Sequence, residues 1–503
     1  MSSQMVQKSD IEAGSNSEAD TKGTARISHQ DIENATWDGP EDPNNPYNWP
    51  ESRKIAVGIV CSVSQLVTTM SASMIVPALD QILQDVGFGP STGQVAFSVF
   101  FLGLGFAPFV VAPLAEVFGR KPVWLAGNIF YVFWNAMCPV GHSPALMIVG
   151  RLLSGSGASV GITLTGPVLA DMYQAKDRGK AVAIAGLLPY LGPALGPIIG
   201  GVAAQHLWWP WLFWILSIFD AAGLVIGYFV IHESYAPVLL RRKLEATLDE
   251  ASKSPKNWKN RLQETWDMVP SRLGPALRIP FRLLILHPSI QIIAFGTALA
   301  FGVYTLVLST FAQLFHQAYR QSSTTASLHY IAIAMGAFAC AQAGGPLMDL
   351  IWRRMKAARP DTEPTPEYRV PYMLVGIIPG VAGLFCYAWA AERVTHWVVV
   401  DIGAGIFTCG SFMFSQGLLA YLLDEFSNTQ SASANAASRV GTYVLGFAFP
   451  IFAPELYSSL GYGWGNTLLG ILLAVFGVLT ILLLHLRGEK LRSIGREKVQ
   501  GTV

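Results

Sequence analysis

From residue 55 onward the chain alternates between apolar segments and short polar breaks. Each apolar segment is about 20 residues long, which is the length that an α-helix needs to cross ~30 Å of hydrocarbon. This alternation predicts an all-α membrane protein with twelve transmembrane helices, which we number as spans 1 to 12. The spans are predicted near residues 55–78, 92–114, 122–140, 145–169, 181–204, 211–232, 285–309, 325–349, 371–391, 396–422, 431–456 and 465–486.

The composition supports a membrane protein and argues against several other classes. Apolar residues make up 51% of the chain and charged residues only 13%, whereas ordinary globular proteins carry about 25% charged residues. The net charge is +1, so the chain does not have the strongly basic composition that nucleic-acid binding requires. We therefore expect no nucleic-acid partner. The cysteines lie in apolar runs without CxxC spacing, so no metal, disulfide framework or cofactor is predicted; they are Cys61, Cys138, Cys340, Cys386 and Cys409.

Lys and Arg residues fall on one side of the predicted membrane. If the N-terminus is inside, 30 of the 34 lie in inner segments. Basic loops stay on the cytoplasmic side during insertion, so both termini are predicted to be cytoplasmic. The predicted domains are a disordered cytoplasmic N-tail at 1–54, a six-helix half at 55–233, a cytoplasmic central loop at 234–284, a second six-helix half at 285–486 and a cytoplasmic C-tail at 487–503.

A short pattern recurs at equivalent positions of the two halves. PLAEVFGRK at 113–121 follows span 2, and PLMDLIWRR at 346–354 follows span 8. The match indicates internal duplication, which in transporters creates a substrate site between the halves; basic cytoplasmic loops alone can also produce it. A carboxylate at a helix end can pair with basic groups and helix N-termini, so we predict a conformational latch. Its residues are Glu116, Gly119, Arg120, Lys121, Asp349, Arg353 and Arg354.

Three charged residues inside spans are candidates for proton coupling. Arg151 lies in span 4, where an unpaired guanidinium is costly, so it either bonds carbonyls of a neighbouring helix or takes part in proton or anion handling. Asp220 is predicted near the middle of span 6, and Asp401 lies early in span 10. Burial raises the pKa of a carboxylate toward working pH, which suits a proton carrier. A packing role for Asp220 and an interfacial position for Asp401 are the alternatives.

Span 5 carries a repeated Gly-Pro pattern. Glycines four residues apart share one helix face and allow close helix packing, while the prolines remove backbone donors and bend the helix. Ordinary small-residue packing explains the glycines, but it does not explain why the Gly-Pro pair repeats at a spacing of four. The motif residues are Gly192, Pro193, Gly196, Pro197, Gly200 and Gly201.

Several of these motifs together resemble one family. Further landmarks in the same order are NPYNWP at 45–50, DRGKA at 177–181, ESYAP at 233–237 and GYGWGN at 461–466. The chain resembles the major facilitator superfamily, and within it the fungal twelve-spanner drug:proton antiporters. The loop at 112–121 departs from the family pattern, because Ala112, Glu116 and Val117 replace the usual Gly, Asp and Arg. The carboxylate and the pair of basic residues, Glu116 with Arg120 and Lys121, are kept.

The resemblance implies two pseudo-symmetric six-helix halves and a function in transport. In the family, the span 5 pattern is the antiporter motif, and an arginine at the position of Arg151 is assigned to proton transfer. The resemblance therefore implies a monomeric multidrug or secondary-metabolite efflux pump that exchanges protons for small organic molecules. We expect it in the plasma membrane, with the vacuolar membrane as the alternative.

Two other functions stay open at this point, and a third is not expected. The nearest is a proton-coupled uptake symporter, or a facilitator, for polyamines or organic acids. A membrane nutrient sensor is another, although neither tail nor central loop has the apolar periodicity of a folded domain. An enzyme is not expected, because the sequence has no nucleophile motif, metal-spaced His/Cys cluster or nucleotide-binding loop. Without ATP, an ion gradient must supply the energy, or transport is passive.

Overall fold

A computed structural model of the protein describes residues 36–500, except 88, 175–176, 178–180, 182–183, 253–262, 264, 359–364 and 427–430. Within this part of the chain, nine helical segments are long and apolar enough to cross a membrane, and the last, Ser433–Val499, contains both span 11 and span 12. Spans 3 and 5 are shorter or less apolar helices that complete the set. The predicted twelve-helix fold is confirmed. Residues 1–35 of the predicted N-tail lie outside the described residues.

The first half contains spans 1 to 6. Their helices are Glu51–Ser73 with its continuation Leu79–Val86, Pro90–Phe106 with Pro108–Val117, Arg120–Met137, Pro144–Met172, Gly192–His206 and Trp211–Val230. Proline placement explains two interruptions. Span 2 breaks at Ala107 because Pro108 cannot donate to the preceding turn. In span 5, Pro189 and Pro193 limit the segment just before Gly192–His206 to the 3-10 turn Leu188–Leu191. The predicted start of span 5 near residue 181 lies next to residues outside the described part of the chain.

The second half contains spans 7 to 12. Their helices are Pro288–Gln317, Ser323–Leu328 with Tyr330–Ala358, Val370–Glu392, Trp397–Glu425 and Ser431–Gln500. The last of these is two spans, separated at Gly461, whose φ of 68° is not helical. Glycine adopts this left-handed conformation without the steric cost that a side chain adds. Span 12 continues to Gln500, well beyond its predicted end.

The central connection also contains helices, Ala236–Ser252 and Val269–Leu286. Lys243 forms an ion pair with Asp38 of the N-terminal segment at 2.6 Å. Arg282 donates to the carbonyl oxygen of Val499 at 2.7 Å. The two chain ends and the central connection therefore meet at one end of the bundle, which we call the tail end. The opposite end is the distal end.

Glycines of span 5 bring its backbone against span 1. A Cβ built on Gly196 would lie 2.6 Å from Ser73 Oγ and 2.7 Å from the carbonyl oxygen of Met70. One built on Gly200 would lie 2.4 Å from the carbonyl oxygen of Met74. All three distances are shorter than real Cβ atoms show. The glycine face predicted for span 5 therefore packs directly on a neighbouring helix backbone.

We expect Gly196→Val to destabilise the protein, because the added side chain must displace the backbone of span 1. Overpacking of this kind typically costs about 1–3 kcal/mol. The matched control is Gly223→Val in span 6, where nothing lies within 4 Å of the built Cβ. Thermal unfolding of the purified protein in detergent measures both variants. Equal melting temperatures for the two would show that the Gly196 face is not tightly packed.

Candidate functional site

A cavity of about 330 Å³ lies between the two halves. Most of its wall comes from spans 7, 10 and 11, and Tyr190 contributes from the first half. Leu419 and Asn435 place it toward the tail-end portions of spans 10 and 11. The residues that line it are Tyr190, Ile293, Thr297, Ala300, Phe301, Ser411, Phe412, Ser415, Gln416, Leu419, Asn435, Ser438, Arg439, Thr442 and Tyr443.

Contacts between the halves close the distal end. In span 8, the backbone N–H of Thr324 donates to Gln205 Oε1 at 3.2 Å. A Cβ on Gly201 of span 5 would lie 2.6 Å from the carbonyl oxygen of Ser323. A pocket of about 80 Å³ remains at this end, between spans 1, 7 and 8. The central cavity is therefore reached from the tail end in this conformation. A pocket of about 520 Å³ near Lys54 and Tyr173 lies at the edge of the first half, away from the interface.

Aromatic rings form one wall of the central cavity. The ring of Phe301 lies 5.9 Å from that of Tyr443 and 5.6 Å from that of Phe101, which belongs to the first half. The rings of Tyr304 and Phe412 are 5.0 Å apart. These edge-to-face and tilted pairs leave flat apolar surface across the boundary between the halves, which suits a ligand with a ring system.

Arg151 lies inside the first half and does not line the central cavity. Its side chain is 1% exposed. The guanidinium donates to the carbonyl oxygens of Ser71 at 3.0 Å, Ala96 at 3.4 Å and Phe97 at 3.5 Å. Its carbon also lies 4.3 Å from the ring centre of Phe100. Among the described residues, no carboxylate comes within 4 Å of it, so carbonyl dipoles and an aromatic face hold this buried charge.

Asp220 is 4% exposed, and its Oδ2 has no hydrogen-bond partner among the described residues. It borders a cavity of about 130 Å³ together with Ser64 and Trp124. Tyr131 of span 3 is 1% exposed. This buried phenol is a further ionisable group of the first half that sequence reasoning missed. It lies in no sequence motif, so no signal could have found it.

Asp401 lies near the distal end, away from the central cavity. Its Oδ2 is 2.8 Å from Nδ1 of His329, and Nε2 of that histidine is 2.9 Å from Gln321 Oε1. The ring of Phe315 stacks on His329 at 3.7 Å. Asp401 is thus part of a polar contact between the beginnings of spans 8 and 10, and it is not brought together with Arg151 or Asp220.

The predicted latch residues of the first half are partly brought together. Arg120 Nε lies 3.2 Å from Asp171 Oδ2. Glu233 accepts the backbone N–H groups of Arg120 at 2.9 Å and Lys121 at 3.3 Å, which places a negative charge at the N-terminus of span 3. Gly119 has a φ of 103°, and a Cβ there would overlap the Glu233 carboxylate.

Glu116 takes another position. It is exposed and has no ion-pair partner within 4 Å in the described part of the chain. The pKa of Tyr235 is raised, mainly because this tyrosine is buried. The negative charge of Glu116 raises it further. Sequence reasoning recorded Glu233 only as a landmark and missed Asp171. An acidic residue at the end of a span was the available signal for both.

The predicted latch residues of the second half point outward. Asp349, Arg353 and Arg354 are exposed and make no ion pair within 4 Å among the described residues. At the same end, Arg369 at the start of span 9 pairs with Asp424 at the end of span 10 at 2.7 Å, as Arg120 of span 3 pairs with Asp171 of span 4. The second half therefore has the same kind of ion pair, but an arginine outside the repeated motif makes it.

Comparisons with known sequences agree on one family. The profile of the Major Facilitator Superfamily matches residues 61–360. An uncharacterized transporter of Schizosaccharomyces pombe is 34% identical over 462 residues, which cover 91% of this chain and 93% of that protein. The probable efflux pump mfs2 of Aspergillus flavus is 36% identical over 425 residues, covering 84% and 100%. The efflux pump vrtL of Penicillium aethiopicum is 33% identical over 443 residues, covering 88% and 87%.

Solved structures share the fold at low sequence identity. The proton:xylose symporter XylE bound to 6-bromo-6-deoxy-D-glucose has a TM-score of 0.61 at 14% identity, and the match covers 87% of this chain and 96% of XylE. A bacterial homolog of the human lysosomal transporter Spinster, inward-facing and unoccupied, has a TM-score of 0.61 at 12% identity, covering 90% and 99%. With its fold, its duplicated halves and these relatives, the chain belongs to the major facilitator superfamily.

Proposed function

We propose that the protein is a proton-coupled exporter of small organic molecules, such as secondary metabolites, toxins or drugs. The observation that carries this proposal is the central cavity, which the distal contacts close and which is reached from the tail end. The distribution of Lys and Arg assigns the tail end to the cytoplasm. A cavity in this state loads substrate from the cytoplasm, as an exporter requires.

The direction of transport is supported by two further observations. The span 5 glycine-proline pattern is that of antiporters in the family that the chain resembles. Relatives in Aspergillus flavus and Penicillium aethiopicum carry the names of efflux pumps. An uptake symporter is the second candidate, since XylE shares the fold. We propose that the protein acts as a monomer, because one chain supplies the cavity wall that the described residues form. We also propose a plasma-membrane location from the family resemblance, and cytoplasmic termini from the distribution of Lys and Arg.

Proton coupling is proposed for the buried group of Arg151, Tyr131 and Asp220. A carboxylate without a hydrogen-bond partner can gain a proton without breaking an existing bond. The fixed charge of Arg151 favours the ionised form of a neighbouring acid, so a shift in their separation would change the proton affinity of Asp220. Because Arg151 binds carbonyls of spans 1 and 2, movement of these helices would alter that separation. Asp401 remains a second, distal candidate.

The latch is proposed to act at the tail end. In this conformation Glu116 and Asp349 are exposed, as expected of acids whose partners are met only when the tail end closes. Arg120 is held meanwhile by Asp171 and Glu233. Closure would bring the exposed acids against basic groups and helix N-termini, at low cost because each acid leaves water for a charged partner.

We expect a proton gradient to drive transport by the purified protein in liposomes. Three fluorescent naphthalene compounds serve as probes: 2-naphthalenesulfonate, 2-naphthalenesulfonamide and trimethyl(2-naphthylmethyl)ammonium. An acidic lumen should drive a probe inward through molecules whose tail end faces the outside, and an uncoupler should stop this uptake.

Arg151→Lys should lower the rate of gradient-driven uptake roughly 10-fold. Loss of the planar fork leaves buried carbonyls unsatisfied, which costs about 1–3 kcal/mol. Arg393→Lys, a surface change, is the control. Antiport would be refuted if the transport rate of every probe is the same with and without the proton gradient.

Asp220→Asn should separate proton coupling from substrate movement. The substitution keeps the shape of the side chain but removes the group that carries the proton. Gradient-driven uptake should be lost while exchange of labelled for unlabelled probe continues. Ser217→Ala is the control for packing, because Ser217 is a buried neighbour on the same helix that accepts from Asn135 at 2.9 Å. Retained coupling in Asp220→Asn would assign Asp220 to packing.

Glu116→Gln and Asp349→Asn should each favour the conformation that is open at the tail end, because both remove contacts made only on closure. The measurement is thiol labelling of Leu419→Cys, in the central cavity, and Gln313→Cys, in the distal pocket, in a background without native cysteines. Labelling should rise at the first position and fall at the second. Glu489→Gln changes another exposed acid at the tail end and should change neither. Unchanged labelling in both variants would make these acids ordinary helix-end residues.

A further inference from the structure

We propose that the central cavity selects aromatic organic anions and that Arg439 is the group that binds their charge. This inference rests on the proposed function and names the substrate class of the same cavity. It begins from a single observation. Among the described residues that line the cavity, Arg439 is the one that carries a charge.

Arg439 is placed to receive a ligand. It lies about two helical turns inside span 11, counted from Ser431, and is exposed. Its Nε donates to Asn435 Oδ1, one turn earlier on the helix, at 3.2 Å. This bond fixes one edge of the guanidinium and leaves the remaining N–H groups for another acceptor. No carboxylate among the described residues lies within 4 Å of it.

Arg439 contrasts with the other arginine inside a span. Arg151 is buried, and three backbone carbonyls receive its donors. Arg439 donates to one side-chain acceptor and otherwise faces the open cavity. An arginine at membrane depth is costly unless it is paired or hydrated. A ligand carboxylate, sulfonate or phenolate would supply the missing acceptor and charge, whereas a ligand cation would be repelled.

The rest of the cavity wall agrees with an aromatic anion. The other polar groups that line it are hydroxyls and amides, among them Ser411, Ser415 and Gln416. Hydroxyl and amide groups can donate to ligand oxygens but cannot neutralise an ammonium group. The rings of Phe301, Phe412 and Tyr443 offer apolar faces beside these donors. Organic acids and phenols therefore match the cavity, and polyamines do not.

Equilibrium dialysis of the purified protein against the three naphthalene probes tests the inference. They share one ring system and differ in charge. The sulfonate should bind tightest and the ammonium weakest. Arg439→Gln should weaken sulfonate binding about 10- to 100-fold, the expected loss of hydrogen bonds to a charged group. Arg439→Lys should restore most of the affinity, because it keeps the charge and loses only the planar fork.

The neutral sulfonamide reports whether each variant is folded, since its affinity should change little in Arg439→Gln. Arg393→Gln, at the protein surface, should leave the binding of all three probes unchanged. The inference is overturned if the ammonium binds wild type as tightly as the sulfonate, or if Arg439→Gln binds the sulfonate as wild type does. Selective sulfonate binding without gradient-driven transport would support the anion subsite and refute the exporter proposal alone.

Discussion

Direct backbone contact along span 5 is the constraint on which the rest of the arrangement depends. Lipid is as apolar as the helices, so helices associate in a bilayer through close packing and not through the hydrophobic effect. Gly196 and Gly200 bring span 5 against span 1, and Gly201 brings it against the start of span 8 in the other half. One helix is thus fixed to its own half and also forms the distal closure. Relative motion of the halves must slide or separate the Gly201 contact while the span 1 contact persists.

The two arginines inside spans show how surroundings decide the role of one residue type. Arg151 is held by carbonyls of two neighbouring helices and is a fixed positive charge inside the first half. Arg439 faces the cavity with one side-chain partner. Under the proposed coupling, the first acts on groups that move relative to it, such as Asp220. The second can act on a ligand directly. Proton handling and substrate binding would then lie in different halves, coupled by the contacts between them.

The sequence predicted helix number, duplication and the glycine face of span 5, because each depends on local composition or on a repeated pattern. It did not predict the partners of Arg120, since Asp171 and Glu233 lie 51 and 113 residues away along the chain. Pairing over such separations depends on how spans 3, 4 and 6 are arranged. The 3-10 turn before Gly192 was also missed, because hydropathy does not register that Pro189 and Pro193 prevent a regular helix there. Tyr131 lies in no sequence motif, so it gave no signal.

The two copies of the repeat are alike in their acids and differ in their basic residues. Glu116 and Asp349, the acids of the proposed latch, are both exposed. Arg120 belongs to the same motif but pairs within its own half. A residue that pairs within one half keeps its partner in both states, whereas a residue that pairs across the halves must lose it in one. Under the proposed latch, the motif combines a permanent part, which orients the start of span 3, with a part whose contacts depend on whether the tail end is closed.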